Sequence, residues 1–223
     1  MKTKILVFSE TVTLAHVVRP ATLAGQLDLD QYHITFAAST IPEFIKNKYP
    51  HFEFINLTTS VSQSQFMRVI NQGTFPYNKV KVREQITEDL SLIDQFKPDL
   101  ILGDFRFSLA ISAKLRKTPF INISNTIWNP SSTLPQQAPD IAIVNFFGSK
   151  ISNWVFKIIS PLIFWWMARA FNQVAKEMCI TPIGNLMKLF TCGDYVLYAD
   201  TKSLVASKVL PKSHYVVGPI HAD

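Results

Sequence analysis

The sequence predicts an α/β protein built on a doubly wound, mainly parallel sheet of about seven strands, with helices on both faces. Three observations carry this. Short apolar runs of strand length recur seven times along the chain. Several of them are apolar throughout, without alternation, as a strand must be when neither face meets water. Helical patterns lie between several of these runs, and strand–helix–strand alternation is satisfied by a parallel sheet with crossover helices.

In chain order, "ILVFS" (5–9) is the first strand, and a helical pattern follows over 17–27. "HITFAA" (33–38) and "FEFINL" (52–57) are the second and third strands. The polar stretch 56–75 reads as a rim loop that ends in a short helix. A long helical pattern over 79–96 stops just before Pro98, because the residue preceding a proline is pushed out of helical geometry. "DLILGD" (99–104) is the fourth strand, a helix covers 108–115, and "PFINIS" (119–124) is the fifth strand. "SNTIWNPSSTLPQQAPD" (124–140) is a loop by composition, with three prolines among Ser and Asn. "YVLYAD" (195–200) and "HYVVGP" (214–219) complete the strands. There is no internal repeat.

The 223 residues are 48% hydrophobic and 17% charged, enough for one large core or two small ones. The formal charge is +6, but the cations are scattered through "KNKY", "NKVKVR" and "KLRK" as on solvated faces. No nucleic-acid-binding motif is present, so nucleic acid is not an expected partner. Cys179 and Cys192 have neither metal-ligand spacing nor a nearby histidine pair, which predicts no metal site and a reducing compartment. The apolar run at the N-terminus is too short for a secretion signal, so the chain reads as cytoplasmic.

In a doubly wound sheet, ligands bind beyond the carboxyl ends of the strands, where the strand order reverses. A 3-2-1-4-5 order makes the first and fourth strands neighbours at that point. His16, in the loop after the first strand, then shares a rim with Asp104, which ends the fourth, and with Asn125, which follows the fifth. A histidine backed by a carboxylate is a general base whose tautomer is fixed, leaving Nε2 to take a proton from a hydroxyl. The plainer alternative is that His16 caps a helix while Asp104 binds backbone amides; residue types alone leave both open. Hydrolase, glycosidase and dinucleotide chemistries lack their marks, since there is no G-x-S-x-G turn, no evident carboxylate pair and no G-x-G-x-x-G.

"TLAHVVRPATLAGQL" resembles the first loop and helix of nucleotide-sugar-dependent glycosyltransferases of the GT-B fold, the UDP-glycosyltransferase type. "PDLILGDFRFSLAISAKLRKTPFINIS" is similar to their fourth strand, acid-bearing loop, helix and fifth strand, and "GDYVLYADTKSL…YVVGPI" to the end of their N-terminal half. The resemblance covers nearly the whole chain in the right order. Ala15 stands where that family usually has glycine, an exchange that helix-start geometry tolerates because it does not demand positive φ. The resemblance implies a Rossmann-like, N-terminal acceptor-binding domain over 1–218, with 219–223 starting a linker to a donor-binding C-terminal half. It implies an inverting sugar transfer in which His16 deprotonates the acceptor and Asp104 orients His16. It also implies no cofactor, a nucleotide-sugar co-substrate held mainly by the other half, and little transfer by this chain alone.

The segment 151–178, "ISNWVFKIISPLIFWWMARAFNQVAKEM", supports three readings. It is a core helix pair, an acceptor pocket lined by Trp154, Phe164 and Trp165, or a surface helix that dips into a membrane with help from Lys157, Arg169 and Lys176. Polar interruptions argue against a membrane span, and Pro161 is expected to start or kink a helix. Asn125 and Trp128 are further candidate acceptor contacts, and the apolar lining favours a lipophilic hydroxyl acceptor. A non-catalytic module that binds a hydrophobic ligand or a protein with the same pocket is the rival reading.

Overall fold

A computed structural model of the chain describes residues 2–72, 74–131, 149–201 and 210–220. The elements run β1 (Thr3–Ser9), α1 (Leu14–Gly25), β2 (Tyr32–Ala38), α2 (Glu43–Lys48), β3 (Glu53–Asn56), α3 (Gln63–Asn71), α4 (Lys79–Phe96), β4 (Leu100–Asp104), α5 (Leu109–Arg116) and β5 (Phe120–Ser124). A short 3₁₀ turn (Thr126–Trp128) follows, then α6 (Ser149–Met167), α7 (Arg169–Glu177), α8 (Leu186–Leu189), β6 (Tyr195–Tyr198) and β7 (His214–Val216). The strands form one sheet in the order β3-β2-β1-β4-β5-β6-β7, and every neighbouring pair is parallel. The order reverses between β1 and β4, as the sequence predicts.

β1 explains why its run is apolar without alternation. Ile5 and Val7 pack with Val17, Ala21 and Ala24 of α1 on one face. Leu6 and Phe8 pack with Leu92 and Ile93 of α4 and with Leu109 and Ala113 of α5 on the other. Successive side chains of a strand point to opposite faces, so a strand covered twice has no polar position to spare. A third apolar cluster joins α4, α6, α7 and α8 with the aromatic side chains Phe105, Phe107 and Phe190.

Local signals set the helix ends. Asn78 caps α4 by accepting from the Lys81 amide at 2.9 Å, and the chain leaves that helix through Lys97 in the left-handed region, one residue before Pro98. Ser62 and Gln65 form a capping box at the start of α3. The six-residue α2 and four-residue α8 are too short to show a helical period, and the sequence reading missed both. Pro161 does not start a helix: α6 runs continuously through it, and the break comes at Ala168, before α7. The carbonyl that Pro161 leaves unbonded belongs to Lys157, on the exposed side of α6, where solvent can satisfy it. Most of the predicted loop 124–140, from residue 132 on, lies outside the described residues, as do 221–223 of the predicted linker.

Gly103 positions the end of β4. A Cβ there would sit 2.6 Å from Leu109 and 2.7 Å from Phe120, so only glycine lets α5 and β5 close over the strand beside Asp104. Gly103→Ala is expected to destabilise the domain by about 1–3 kcal/mol through overpacking, read as a lowered midpoint in urea unfolding.

Candidate active site

Ser9 and Asp104 are register partners at the carboxyl ends of β1 and β4. From Ser9 the chain turns through Thr13, in extended conformation, into α1. Ala15 is helical rather than left-handed, so the lack of glycine there introduces no strain. His16 sits in the first turn, with Nδ1 2.8 Å from Oδ1 of the buried Asp104.

Pro20 has a part in this placement. It lies inside α1 and lacks the N–H that would have bonded the carbonyl of His16, four residues earlier. That carbonyl instead accepts from the buried hydroxyl of Ser9 at 2.6 Å. The backbone of His16 is thereby tied to the tip of β1.

Arg19 completes the arrangement. Its Nε donates to Asp104 Oδ2 and its Nη2 to Oδ1, both at 2.9 Å, a bidentate grip on a carboxylate removed from water. Its Nη1 donates to Asn125 Oδ1 at 3.0 Å, and the Asn125 amide nitrogen donates to Asp200 Oδ1 at 3.0 Å. Asp200 also accepts from the amide and hydroxyl of Thr126. Both ends of the Asn125 amide are thus engaged within the protein. Arg19 Nη2 also lies 2.8 Å from His16 Nδ1. A guanidinium only donates, so Nδ1 satisfies Asp104 in one tautomer and Arg19 in the other. Only the tautomer with its proton on Nδ1, pointing at Asp104, leaves Nε2 unprotonated.

Phe105 follows Asp104 with φ of 62°, a costly conformation for a bulky side chain. Packing holds it there: its ring lies 4.5 Å from the His16 ring, 4.8 Å from Phe107 and 5.3 Å from Phe190. The hollow bounded by His16, Asp104, Phe105, Asn125 and Phe190 has a volume of about 10 Å³, room for roughly one water. Trp128 stacks on Phe190 at 3.9 Å with rings 3° from parallel, and Phe164 meets Trp128 edge-on at 6.4 Å. Trp154 and Trp165 do not line this hollow; they are on the outward face of α6. Larger surface hollows, of about 630 and 450 Å³, include neither His16 nor Asp104. Size therefore does not mark the site; converging buried polar groups do.

A second buried network straddles the same two strands. Arg106, just past β4, donates to Glu10 at 2.7 Å, to Asp89 at 2.9 Å and to Glu88 at 3.0 Å. Glu10, next to Ser9, also accepts from the Val61 amide and from Gln85. Burial raises Glu10 and Asp89 above the usual carboxylate range, against the opposing pull of Arg106. Burial acts on Glu88 in the same sense, but hydrogen bonds from Thr59 and Thr58 and the Arg106 charge outweigh it and hold Glu88 at about 2. Burial would lower Arg106, yet Asp89 and Glu10 keep it above its ordinary value. Burial pushes the Cys192 thiol up to about 12, which leaves it inert as a nucleophile. Among the described residues, no group of three or more His, Cys, Asp or Glu side chains could hold a metal ion.

The structure thus brings His16, Asp104 and Asn125 together, sets Trp128 and Phe164 behind Phe190, and leaves Trp154 and Trp165 outside. Arg19, Ser9, Phe105 and Asp200 were not singled out from the sequence. Arg19 had a usable signal, since residues three apart on a helix share a face and Arg19 lies three after His16. Asp200 had none, because only the β5–β6 pairing brings it to Asn125.

The fold and this rim define the class: the chain has the Rossmann-like architecture of one half of a GT-B glycosyltransferase. It resembles a kitacinnamycin glycotransferase (TM-score 0.61, 13% identity, all of this chain and 52% of that one). It also resembles Phytolacca americana UGT2 solved with UDP-2fluoro-glucose and pterostilbene (TM-score 0.54, 11% identity, all of this chain and 55% of that one). In sequence the chain is related to the mycobacterial PGL/p-HBAD glycosyltransferases. It is 34% identical over 222 residues to an inactive PGL/p-HBAD biosynthesis glycosyltransferase of Mycobacterium bovis, covering 97% of this chain and 59% of that protein. It is 34% identical over 218 residues to a PGL/p-HBAD biosynthesis rhamnosyltransferase of the same species, covering 97% and 48%. The chain spans about half the length of the curated relatives it matches. No protein-family model matches it.

Two outcomes test the geometry. Ser9→Ala leaves the His16 carbonyl without its buried partner and is expected to cost about 1–3 kcal/mol in chemical unfolding. Glu88 titrates lower in the folded chain than its ordinary 4.5, so its contribution to stability is present above that value and fades as pH falls toward 2. The stability difference between wild type and Glu88→Gln is therefore expected to shrink across that window, measured by urea unfolding at several pH values.

Proposed function

We propose that this chain is the N-terminal, acceptor-binding half of an inverting, nucleotide-sugar-dependent glycosyltransferase. His16 is its general base, and residues 219–223 begin the linker to a donor-binding half. The observation that carries the reading is the 2.8 Å contact between His16 Nδ1 and Asp104 at the reversal of strand order. The relatives' names, glycosyltransferase and rhamnosyltransferase, support the reaction class.

In this reading the neutral ring carries its proton on Nδ1, held toward Asp104, and Nε2 takes the proton of the acceptor hydroxyl. The oxygen attacks the anomeric carbon as the bond to the nucleoside diphosphate breaks. Asp104 fixes the tautomer and balances the imidazolium that forms. Arg19 neutralises much of that carboxylate, so Asp104 acts more through orientation than through net charge. Arg19 is a positioning residue: it holds Asp104 and Asn125 and touches no substrate in this scheme. The apolar wall of Trp128, Phe164 and Phe190 supports a lipophilic acceptor, admitted once the water-sized hollow opens.

The test uses the protein joined to its donor-binding half, with single-turnover transfer from a nucleotide sugar to a panel of lipophilic alcohols. His16→Ala is expected to lower the chemical rate by about 10²–10⁴-fold with donor affinity unchanged, and Asp104→Asn to act in the same direction. Arg19→Met is expected to cost on the order of 10²-fold through misplacement of the pair. An unaltered rate in His16→Ala would remove the base assignment.

A relative named inactive matches this chain at the same 34% identity as one named rhamnosyltransferase, which keeps a second reading in view. In it the chain is a non-catalytic module that holds a hydrophobic ligand or a protein. Ligand binding in calorimetry, together with no transfer when a donor-binding half is supplied, would select that reading.

A further inference from the structure

We propose that the outward face of α6 rests on an anionic lipid bilayer. The helix is apolar on both sides: Phe156, Ile163, Phe164 and Met167 pack against the third apolar cluster, and a second set of apolar side chains faces outward. The inward face also carries Ser152 and Ser160, 8% and 6% exposed. Its outward face presents Ile151, Trp154, Ile158, Leu162, Trp165 and Trp166, with Leu162 69% and Trp154 65% exposed. These positions recur at helical spacing and form one stripe. A contiguous apolar stripe of this kind marks a contact surface rather than scattered exposure.

Charge selects the occupant. From Ile141 to Lys176 the sequence has no Asp or Glu, while Lys157, Arg169 and Lys176 lie in this stretch and are exposed. Lys157 falls at the margin of the apolar stripe, where a long side chain can lay its stem along hydrocarbon and reach a headgroup. Tryptophan suits the same boundary, with an apolar ring and one polar N–H. Two copies of the chain packed through this stripe would bring like charges together with no carboxylate between them. An anionic membrane surface meets both the apolar and the cationic requirement.

The geometry fixes how the helix lies. The segment Ile151–Glu177 is long and apolar enough to cross a membrane: its most apolar 18-residue window has mean hydropathy 1.2 and is 22% buried. Yet the segment breaks at Ala168, and α7 is anchored to the domain by the buried Phe171, Val174 and Ala175. Lys79 and Arg83 of α4 also bind Glu177 at its end. An element pinned in this way lies in the interface plane. Phe164, on the inward side of α6, touches Trp128, which stacks over the wall of the His16 hollow, so the stripe and the rim share one helix. The inference does not rest on the sugar-transfer reading.

The test is flotation of the 223-residue chain with vesicles of phosphatidylcholine alone and of phosphatidylcholine with phosphatidylglycerol. Tryptophan emission is followed in parallel, with brominated lipid as quencher. The chain is expected to float with the anionic vesicles, with blue-shifted and quenched emission. The double variant Leu162→Glu/Trp165→Gln, on exposed positions and with an unchanged circular dichroism spectrum, is expected to bind about tenfold more weakly or less. Lys157→Gln is expected to lose about fivefold on anionic vesicles only. Absence of flotation, equal binding to neutral and anionic vesicles, or undiminished binding by the double variant would each overturn the inference. So would self-association that the double variant abolishes, with no vesicle binding.

Discussion

The parallel pairing of β1 with β4, register-matched so that Ser9 faces Asp104, is the constraint on which the rest of the site depends. Each strand ends there and hands the chain to a loop, and both loops must find partners on the same rim. Ser9 reaches forward to the His16 carbonyl, and Asp104 accepts from His16 and Arg19. Glu10 and Arg106, the next polar residues after the two strands, bind each other on the other side of the seam. A shift of one residue in this register would exchange the faces and separate both networks.

Two arginines do different work at this seam. Arg106 is buried among three carboxylates, and such a guanidinium is tolerable only because hydrogen bonds replace its water. Its partners come from the β1 loop, the Thr58–Thr59 turn and α4, so it fixes the shape of the rim without facing the hollow. Arg19 lies beside the imidazole and competes with Asp104 for Nδ1. The chemistry open to His16 therefore depends on which neighbour the ring proton faces. The strained backbone of Phe105 belongs to the same local frame, since four aromatic contacts hold the ring over His16 while its neighbour Asp104 stays aimed at Arg19.

The closed state of the hollow and the exposed state of α6 are two sides of one observation. A domain related to proteins about twice its length carries its buried polar groups at one rim and a large apolar face on a helix nearby. Burial explains the first and does not explain the second. α6 buries Phe164 and packs Phe156, Ile163 and Met167 on the core as α1, α4 and α7 bury theirs, but it carries a second apolar stripe of three tryptophans and aliphatic residues on the side away from the core.

The central strands were legible in the sequence because a strand covered on both faces must be apolar throughout, and 5–9, 99–104 and 119–124 have few other interpretations. The edge strands β3 and β7, only partly buried, were legible from their length and their β-branched and aromatic residues. The strand order and the pairing of His16 with Asp104 followed from the same topology. α2 and α8 were not legible, being shorter than two helical turns. Pro161 misled because a proline is read as a breaker, whereas in α6 the carbonyl it frees lies on the exposed side. For the apolar segment 151–178, composition fixed that it would be helical and non-polar but not which side would face out. That depends on how α7 is anchored to α4, a contact between residues far apart in sequence. By itself the sequence determined the sheet, its longer helices and the residue types at the rim, because periodicity and chain direction are local properties. Only the tertiary structure decided that Arg19 grips Asp104, that Asn125 is engaged by Asp200, and that the tryptophans of α6 point away from the core, because each requires distant segments to meet.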